Sequence, residues 1–291
     1  MGWLHIIARV DQAHAEAAAE ALELAGAAAV TLRDAADQPL YEPAPGTTPL
    51  WASTEAVGLF PDDTAPEPVL AALVARLGFL PIWQVEPLED QDWSRAWLKH
   101  FRPLRFGRRL WIVPSGFEAP DPQGLNLLLD PGLAFGTGSH PTTALCLEWL
   151  DAHPPRDATV IDYGCGSGIL ALAALRLGAQ RVVAVDNDPQ ALEATRANAR
   201  KNALEDSLEA VAPEDLPPVQ AEAVVANILA GPLIALAPRL TALTAPGGSL
   251  VLSGILADQA RDVLAAYVAA GCDPVSETTR EGWVRLCLAR P

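Results

Sequence analysis

Hydrophobic and polar positions along this chain follow two patterns. In the first ninety residues, short alternating runs flank two helical stretches. Trp3–Val10 alternates as a half-buried strand does, and Gln12–Ala25 carries apolar residues at helical spacing. Ala28–Leu32 reads as a second strand, and Pro39–Pro49, with four prolines, reads as a loop. Glu55–Phe60 predicts a third strand, Glu67–Leu77 a helix stopped by Gly78, and Ile82–Val85 a last strand. The order βαββαβ predicts a small α+β domain of the ferredoxin-like, split βαβ kind.

The second pattern begins after about residue 110. Continuous apolar runs at Val160–Asp162, Val182–Val185, Ala223–Ala226 and Ser249–Ser253 are separated by stretches long enough for helices, among them Leu170–Leu177, Pro189–Asn202 and Asp258–Ala270. Apolar strands alternating with helices predict a doubly wound, Rossmann-like α/β sheet, which binds ligands beyond the carboxyl ends of its strands. The expected division is therefore a recognition domain over residues 1–88, a connector over 89–112 and a ligand-binding domain over 113–291. The connector mixes Trp93, Trp97, Phe101 and Phe106 with Arg102, Arg105, Arg108 and Arg109. Such a mixture stacks on RNA in some proteins; elsewhere the aromatics fasten a linker to a domain while the arginines reach solvent.

Candidate chemistry gathers at the predicted strand ends. Val160-Ile-Asp-Tyr-Gly-Cys-Gly-Ser-Gly168 runs from a strand into a glycine turn, and Val182-Val-Ala-Val-Asp186 ends the next strand in a carboxylate. Glycines let the backbone approach a nucleoside, and the acid is placed to bind ribose hydroxyls. A dinucleotide fold needs G-x-G-x-x-G, but here the glycines fall at 164, 166 and 168. The turn resembles that of class I S-adenosylmethionine methyltransferases, whose ligand carries no phosphate. Gly164, Gly166 and Asp186 are thus candidate cofactor contacts. Asn227, in Ala223-Val-Val-Ala-Asn-Ile-Leu-Ala-Gly-Pro232, lies where nitrogen-directed methyltransferases carry Asn or Asp before Pro-Pro and an aromatic. The Asn remains and the aromatic platform does not, which suits an aliphatic amine better than a stacked base. Its carbonyl oxygen can accept an N–H and aim the amine's lone pair; the alternative is a helix N-cap.

Leu129–Thr143 (LDPGLAFGTGSHPTT) is the other dense segment. Gly132, Gly136 and Gly138 make a flexible loop, and the Ser, Pro and Thr residues start a helix. His140 on its own reads as a structural hydrogen-bond donor. Zinc-protease, phosphate-loop and nucleophile-elbow motifs are absent, and five histidines and four scattered cysteines show no metal-ligand spacing. No metal or disulfide is expected, and cysteine usage suits a reducing cytoplasm. No run of about 18 apolar residues predicts a membrane span, and no secretory signal is legible at the N-terminus.

Charge changes the picture. Of the net −16, residues 1–90 carry −11, from 14 acids against 3 bases. Such a surface repels nucleic acid and fits a basic macromolecule, unless it only keeps the protein soluble.

Taken together, Trp93–Gly107, Leu129–Thr143, Val160–Gly168, Val182–Pro189, Val224–Pro232 and Ser253-Gly-Ile-Leu256 resemble the bacterial methyltransferases that modify protein eleven of the large ribosomal subunit, the PrmA family. The resemblance runs over the whole chain. It implies S-adenosylmethionine as cofactor, held by Thr143, Gly164, Asp186 and Asn227. It also implies an acidic N-terminal domain that grips a basic ribosomal protein, methylation of lysine and N-terminal amines, and a cytoplasmic monomer without membrane or direct nucleic-acid partners. The alternatives are an rRNA methyltransferase and a non-catalytic cofactor-binding module on the ribosome.

Overall fold

The computed structural model describes residues 2–36, 38, 50–88, 102–130 and 138–291. It divides into two compact units, residues 1–97 and 98–291. The proline loop at 39–49, together with Trp93, Trp97, Phe101, Gly132 and Gly136, lies outside the described residues.

In the first unit the elements run β1 (Trp3–Asp11), α1 (Ala15–Leu24), β2 (Ala29–Asp34), β3 (Ser53–Pro61), α2 (Pro66–Leu77) and β4 (Ile82–Leu88). The four strands form an antiparallel sheet in the order β2-β3-β1-β4. Alternation places Ile6, Ala8 and Val10 of β1 in one core with Ala18, Ala21 and Leu22 of α1 and Val69, Leu73 and Leu77 of α2. Gly78 ends α2 in the left-handed region (φ 81°), its N–H bonding to the Val74 carbonyl. Across the sheet, Glu55 is buried between Arg9 and Arg33, each 2.7 Å away. The hydrogen bond from Arg9, aided by Arg33 and opposed by burial, holds its carboxyl below the ordinary range. Arg76 pairs with Glu20. All three basic residues of positions 1–90 are therefore paired, which leaves the acidic surplus uncompensated.

The second unit opens with β5 (Leu104–Phe106), β6 (Leu110–Val113) and β7 (Leu125–Leu128), a small sheet in that order. Then come α3 (Pro141–Ala152), β8 (Thr159–Tyr163), α4 (Ile169–Arg176), β9 (Arg181–Val185), α5 (Pro189–Lys201), β10 (Leu208–Val211), β11 (Ala221–Asn227), α6 (Ala230–Leu243), β12 (Thr244–Leu256), α7 (Ala260–Ala269), β13 (Asp273–Arg280) and β14 (Trp283–Ala289). The main sheet has the order β10-β9-β8-β11-β12-β14-β13. Its first five strands are parallel. Along β8, Val160 faces the core formed with α3, α4 and α5, and Ile161 and Tyr163 face the one formed with α6 and α7. The chain steps outward from β8 to β10, then returns to β11 on the other side of β8. The carboxyl ends of β8 and β11 therefore flank the switch point, where an α/β sheet leaves a crevice.

The sequence reading did not identify β14 and β13, which close the sheet as an antiparallel pair. Glu281 and Gly282 join them with φ of 51° and 79°, the mirror-image turn that matches the twist of a hairpin. One feature departs from that reading: within the stretch read as connector, residues 104–106 and 110–112 are strand, and Phe106, Leu110 and Ile112 are core residues. Among the described residues no helix is long and apolar enough to cross a membrane.

Asp151 at the end of α3 fastens the β5–β6 turn. Its carboxylate accepts the Arg108 N–H at 2.7 Å and Arg109 Nε at 3.2 Å, with only 4% of the side chain exposed. Gly107 is required there (φ 61°), since a Cβ would strike that carboxylate. Asp151→Ala removes the acceptor of the part-buried Arg108 N–H and of Arg109 Nε and should destabilise this unit by about 1–3 kcal/mol. Urea denaturation with an unshifted midpoint would overturn this account of the clamp.

Candidate active site

The glycine turn is an alternation of backbone hand. Gly164, Gly166 and Gly168 all have positive φ (82°, 53° and 80°), while Cys165 and Ser167 between them are buried. Only glycine adopts this geometry freely, which accounts for the G-x-G-x-G spacing. The turn is held from both sides. Gly164 N–H and Cys165 N–H bond to the Val185 carbonyl at the end of β9. From α5, Thr195 Oγ1 donates to the Gly166 carbonyl at 3.0 Å and Asn198 Nδ2 to the Ser167 carbonyl at 2.9 Å. These two residues are three apart and so share one helix face. Irregular backbone beside a ligand site is thereby satisfied by side chains.

Asp186, just past β9, accepts the Gly166 N–H through Oδ2 (2.9 Å) and the Asp188 N–H through Oδ1 (3.0 Å). Asp188 in turn caps α5 by accepting from Gln190 N–H. On the other side of the switch point, Thr143 is buried in the first turn of α3, and Asn227 is the last residue of β11. Asn227 Nδ2 donates to Thr143 Oγ1 at 3.3 Å, which leaves the amide oxygen for another donor. Asn227 is not a helix cap: the residue capping α6 is Leu229, without a side-chain bond. The N-cap of α3 is His140, whose Nδ1 accepts from Thr142 N–H at 3.3 Å. With Nδ1 accepting there, the neutral ring carries its proton on Nε2, so His140 accepts at its cap and keeps one ring N–H as a donor. Burial, opposed by Glu281, pushes its pKa down, and its ring meets Trp283 edge-on at 4.9 Å.

Every sequence-predicted site residue thus falls on the carboxyl edge of the sheet or against it. On the β8–β9 side Gly166 is bonded to Asp186 and Gly164 to Val185 just before it, and Asn227 is bonded to Thr143 at the end of β11. Gly138 precedes α3, and its absent Cβ would lie 3.3 Å from Ile169 Cδ1. The residues fit a nucleoside with an uncharged ribose and no phosphate. The Asp186 carboxylate has about four acceptor positions and uses two on backbone, leaving two for vicinal hydroxyls. The Gly166 N–H that a phosphate would need is taken by Asp186. Among the described residues no group of three or more His, Cys, Asp or Glu is arranged to hold a metal ion.

A doubly wound sheet, a glycine turn bound to an acid at the next strand end, and an amide across the switch point define a class I S-adenosylmethionine-dependent methyltransferase. A family model described as ribosomal protein L11 methyltransferase (PrmA) matches residues 2–291. Relatives named ribosomal protein L11 methyltransferase include one from Pseudomonas aeruginosa (strain LESB58), 56% identical over 98% of each chain. One from Pseudomonas putida (strain ATCC 700007 / F1) is 54% identical over the same share. A solved structure of ribosomal protein L11 methylase from Lactobacillus delbrueckii subsp. bulgaricus matches with a TM-score of 0.61 and 30% identity, covering 65% of this chain and 99% of that one. The chain belongs to the ribosomal protein L11 methyltransferase family.

Sequence reasoning passed over Asp162, Thr195 and Asn198. The signal for Asp162 was a single acid inside the apolar run Val160–Tyr163. Its Oδ2 accepts the Ala171 N–H in the first turn of α4 at 2.9 Å, and its buried Oδ1 has no partner. Burial pushes its pKa up to about 7, with the Ala171 hydrogen bond opposing and the Asp186 charge assisting. The folded-state pKa is raised, so between pH 4 and 7 the folded protein keeps a proton that the unfolded chain releases, at pKa values of about 3.9 and above. Stability at this site therefore falls as pH rises through that window and is lowest above it. Asp162→Asn can still accept from Ala171 N–H and does not titrate. Denaturation from pH 5 to 8 should show the variant gaining on the wild type as pH rises. A constant difference across that range would show that Asp162 does not titrate there.

Proposed function

We propose that this methyltransferase moves methyl groups from S-adenosylmethionine to lysine side-chain and N-terminal amines of the basic ribosomal protein L11, in the cytoplasm and as a monomer. The observation that carries the amine assignment is Asn227. Its Nδ2 is occupied by Thr143 Oγ1, and its oxygen is free to accept an N–H at the switch point. The cofactor supplies an electrophilic methyl group on a sulfonium, so the protein's task is to bind, orient and exclude water. In this reading Asp186 binds the ribose hydroxyls, Gly164 and Gly166 let the backbone approach, and Thr143 and Asn227 hold the far end of the cofactor.

An amine must be neutral to attack, and lysine has a reference pKa near ~10.4. Solvent takes the ammonium proton, and Asn227 then orients the neutral amine by accepting a remaining N–H and turning its lone pair inward. His140 suits a donor role better than a general base, because its Nδ1 is committed to Thr142. The missing aromatic after Asn227 suits a flexible aliphatic amine, which needs no stacking platform. The arginines of the basic stretch do not favour an RNA substrate, because Arg109 is bound to Asp151 and Arg105 donates to the Arg108 carbonyl and lies over Trp111.

Residues 1–88 serve, in this proposal, as the substrate-recognition domain and 113–291 as the catalytic domain, joined by a connector over 89–112 whose last part, β5 and most of β6, is built into the second unit. The strand order β2-β3-β1-β4 and the βαββαβ sequence of elements support a ferredoxin-like fold for the first. Its net charge of −9, from 12 acids against 3 bases, supports a basic protein partner.

Labelled S-adenosylmethionine and purified ribosomal protein L11, followed by mass mapping, test the assignment. Wild type should label lysine and N-terminal amines. Asn227→Ala should lower kcat, and Asp186→Ala should weaken cofactor binding about tenfold or more by removing charge-assisted bonds of roughly 1.5–3 kcal/mol. Label on rRNA instead, or calorimetry showing unchanged affinity in Asp186→Ala, would overturn the reading.

The acidic domain makes a separate claim. Asp62 and Asp63 are exposed in the turn between β3 and α2. Reversing both to Lys should slow association with the protein substrate more than it speeds dissociation. The effect should fade as salt exceeds ~0.15 M, where the screening length is about 8 Å. Stopped-flow association rates that ignore both charge and salt would reduce this surface to a solubilising one.

A further inference from the structure

The residue after Asn227 is held between two glycines from the flanking strands. β11 lies between β8 and β12 in the sheet, and Asn227 pairs with Ser253. On the β8 side, a Cβ on Gly164 would collide with Cγ2 of Ile228. On the β12 side, a Cβ on Gly254 would fall on the Ile228 carbonyl oxygen, 2.7 Å from its carbonyl carbon and 3.1 Å from its nitrogen. The side chain of Ile228 is thus received by one glycine and its peptide by the other. Gly254 has φ +83° and sits where the register of β12 against β14 shifts, between Leu252 and Ile255. This irregularity turns a bare Cα toward β11 at the strand's carboxyl end.

We propose that Gly254 is a positioning residue for methyl transfer: its bare Cα is the seat of the Ile228 peptide, and that seat fixes the direction of the Asn227 side chain. The proposal rests on the reading that Asn227 aims the amine. The physical case is that a collision with backbone cannot be relieved by rotating a side chain. Any side chain at 254 must move the Ile228 backbone, whose nitrogen is bonded to the carbonyl carbon of Asn227. The Asn227–Thr143 bond, already 3.3 Å long, is then the first to be lost.

The same strand supplies a control. Gly247 has φ +77°, yet nothing lies within 4 Å of where its Cβ would be. Gly247→Ala therefore carries the left-handed backbone strain of Gly254→Ala without the collision. The full-length variants are compared for kcat and KM with labelled S-adenosylmethionine and purified ribosomal protein L11, for S-adenosylhomocysteine affinity by calorimetry, and for melting temperature. Gly254→Ala is expected to lose about tenfold or more in kcat, a larger change than in either KM or S-adenosylhomocysteine affinity; Gly247→Ala should stay within about twofold of wild type. If the alanine at 254 unfolds the strand, Ile228→Gly tests the same seat without inserting an atom, because it frees the peptide to leave it. It too should lower kcat more than cofactor affinity. Equal kcat in Gly254→Ala and Gly247→Ala, or wild-type kcat in Ile228→Gly where that variant decides, overturns the proposal. Asn227→Ala is the reference: full activity in that variant would overturn the underlying reading of Asn227 instead.

Discussion

Placing β11 on the opposite side of β8 from β9 is the constraint on which the site depends. Parallel pairing makes all three strands point the same way, so their carboxyl ends open on one edge. The connections from β8 and β11 then diverge to opposite faces of the sheet, and no chain crosses between them. The crevice left there must be lined by whatever follows each strand. For β8 that is a turn of three left-handed glycines, and for β11 it is an amide and a β-branched residue. The approach of Ile228 to both Gly164 and Gly254 shows how little room the three strand ends leave.

Irregular backbone at such an edge would be costly if its polar groups went unpaired. The second unit meets this with buried or half-buried side chains. Thr195 and Asn198 satisfy carbonyls of the glycine turn, and Asp186 takes one of its N–H groups. Asn202, almost wholly buried, bonds to both the N–H and the carbonyl of Leu128 and so extends β7 as a strand neighbour would. Asp151 does the same service for the β5–β6 turn. One α5 helix thus serves the glycine turn through one pair of side chains and the end of β7 through its last turn. Asp162, beneath the glycine turn, keeps one buried oxygen unpaired, and its raised pKa is the energetic trace of its burial.

Charge is organised differently in the two units. In the first, the three described arginines are all paired with acids, two of them around the buried Glu55, so the remaining carboxylates set the field at the surface. In the second, acids at the site are tied to backbone: Asp186 to two N–H groups and Asp188 to the start of α5. The first arrangement acts at the range of a screening length; the second fixes atoms to tenths of an ångström.

Local pattern alone determined much of this protein. The G-x-G-x-G run, Asp186 and Asn227 were legible because each is announced by a strand of β-branched residues ending in a residue that a strand does not need. The helices and parallel strands around them were legible for the same reason. Tertiary structure decided what depends on neighbours far apart in the chain. β14 lies beside β12 because its Val284, Leu286 and Leu288 complete the core with α6 and α7, a fact that no local run of residues carries. Residues 104–112 look like a basic connector until Phe106, Leu110 and Ile112 find that the core on α3 and α4 accepts them. The unpaired oxygen of Asp162 and the seat at Gly254 were hidden for the same physical reason. Burial, and collision with a backbone from another strand, are properties of packing, and they exist only once the chain has closed on itself.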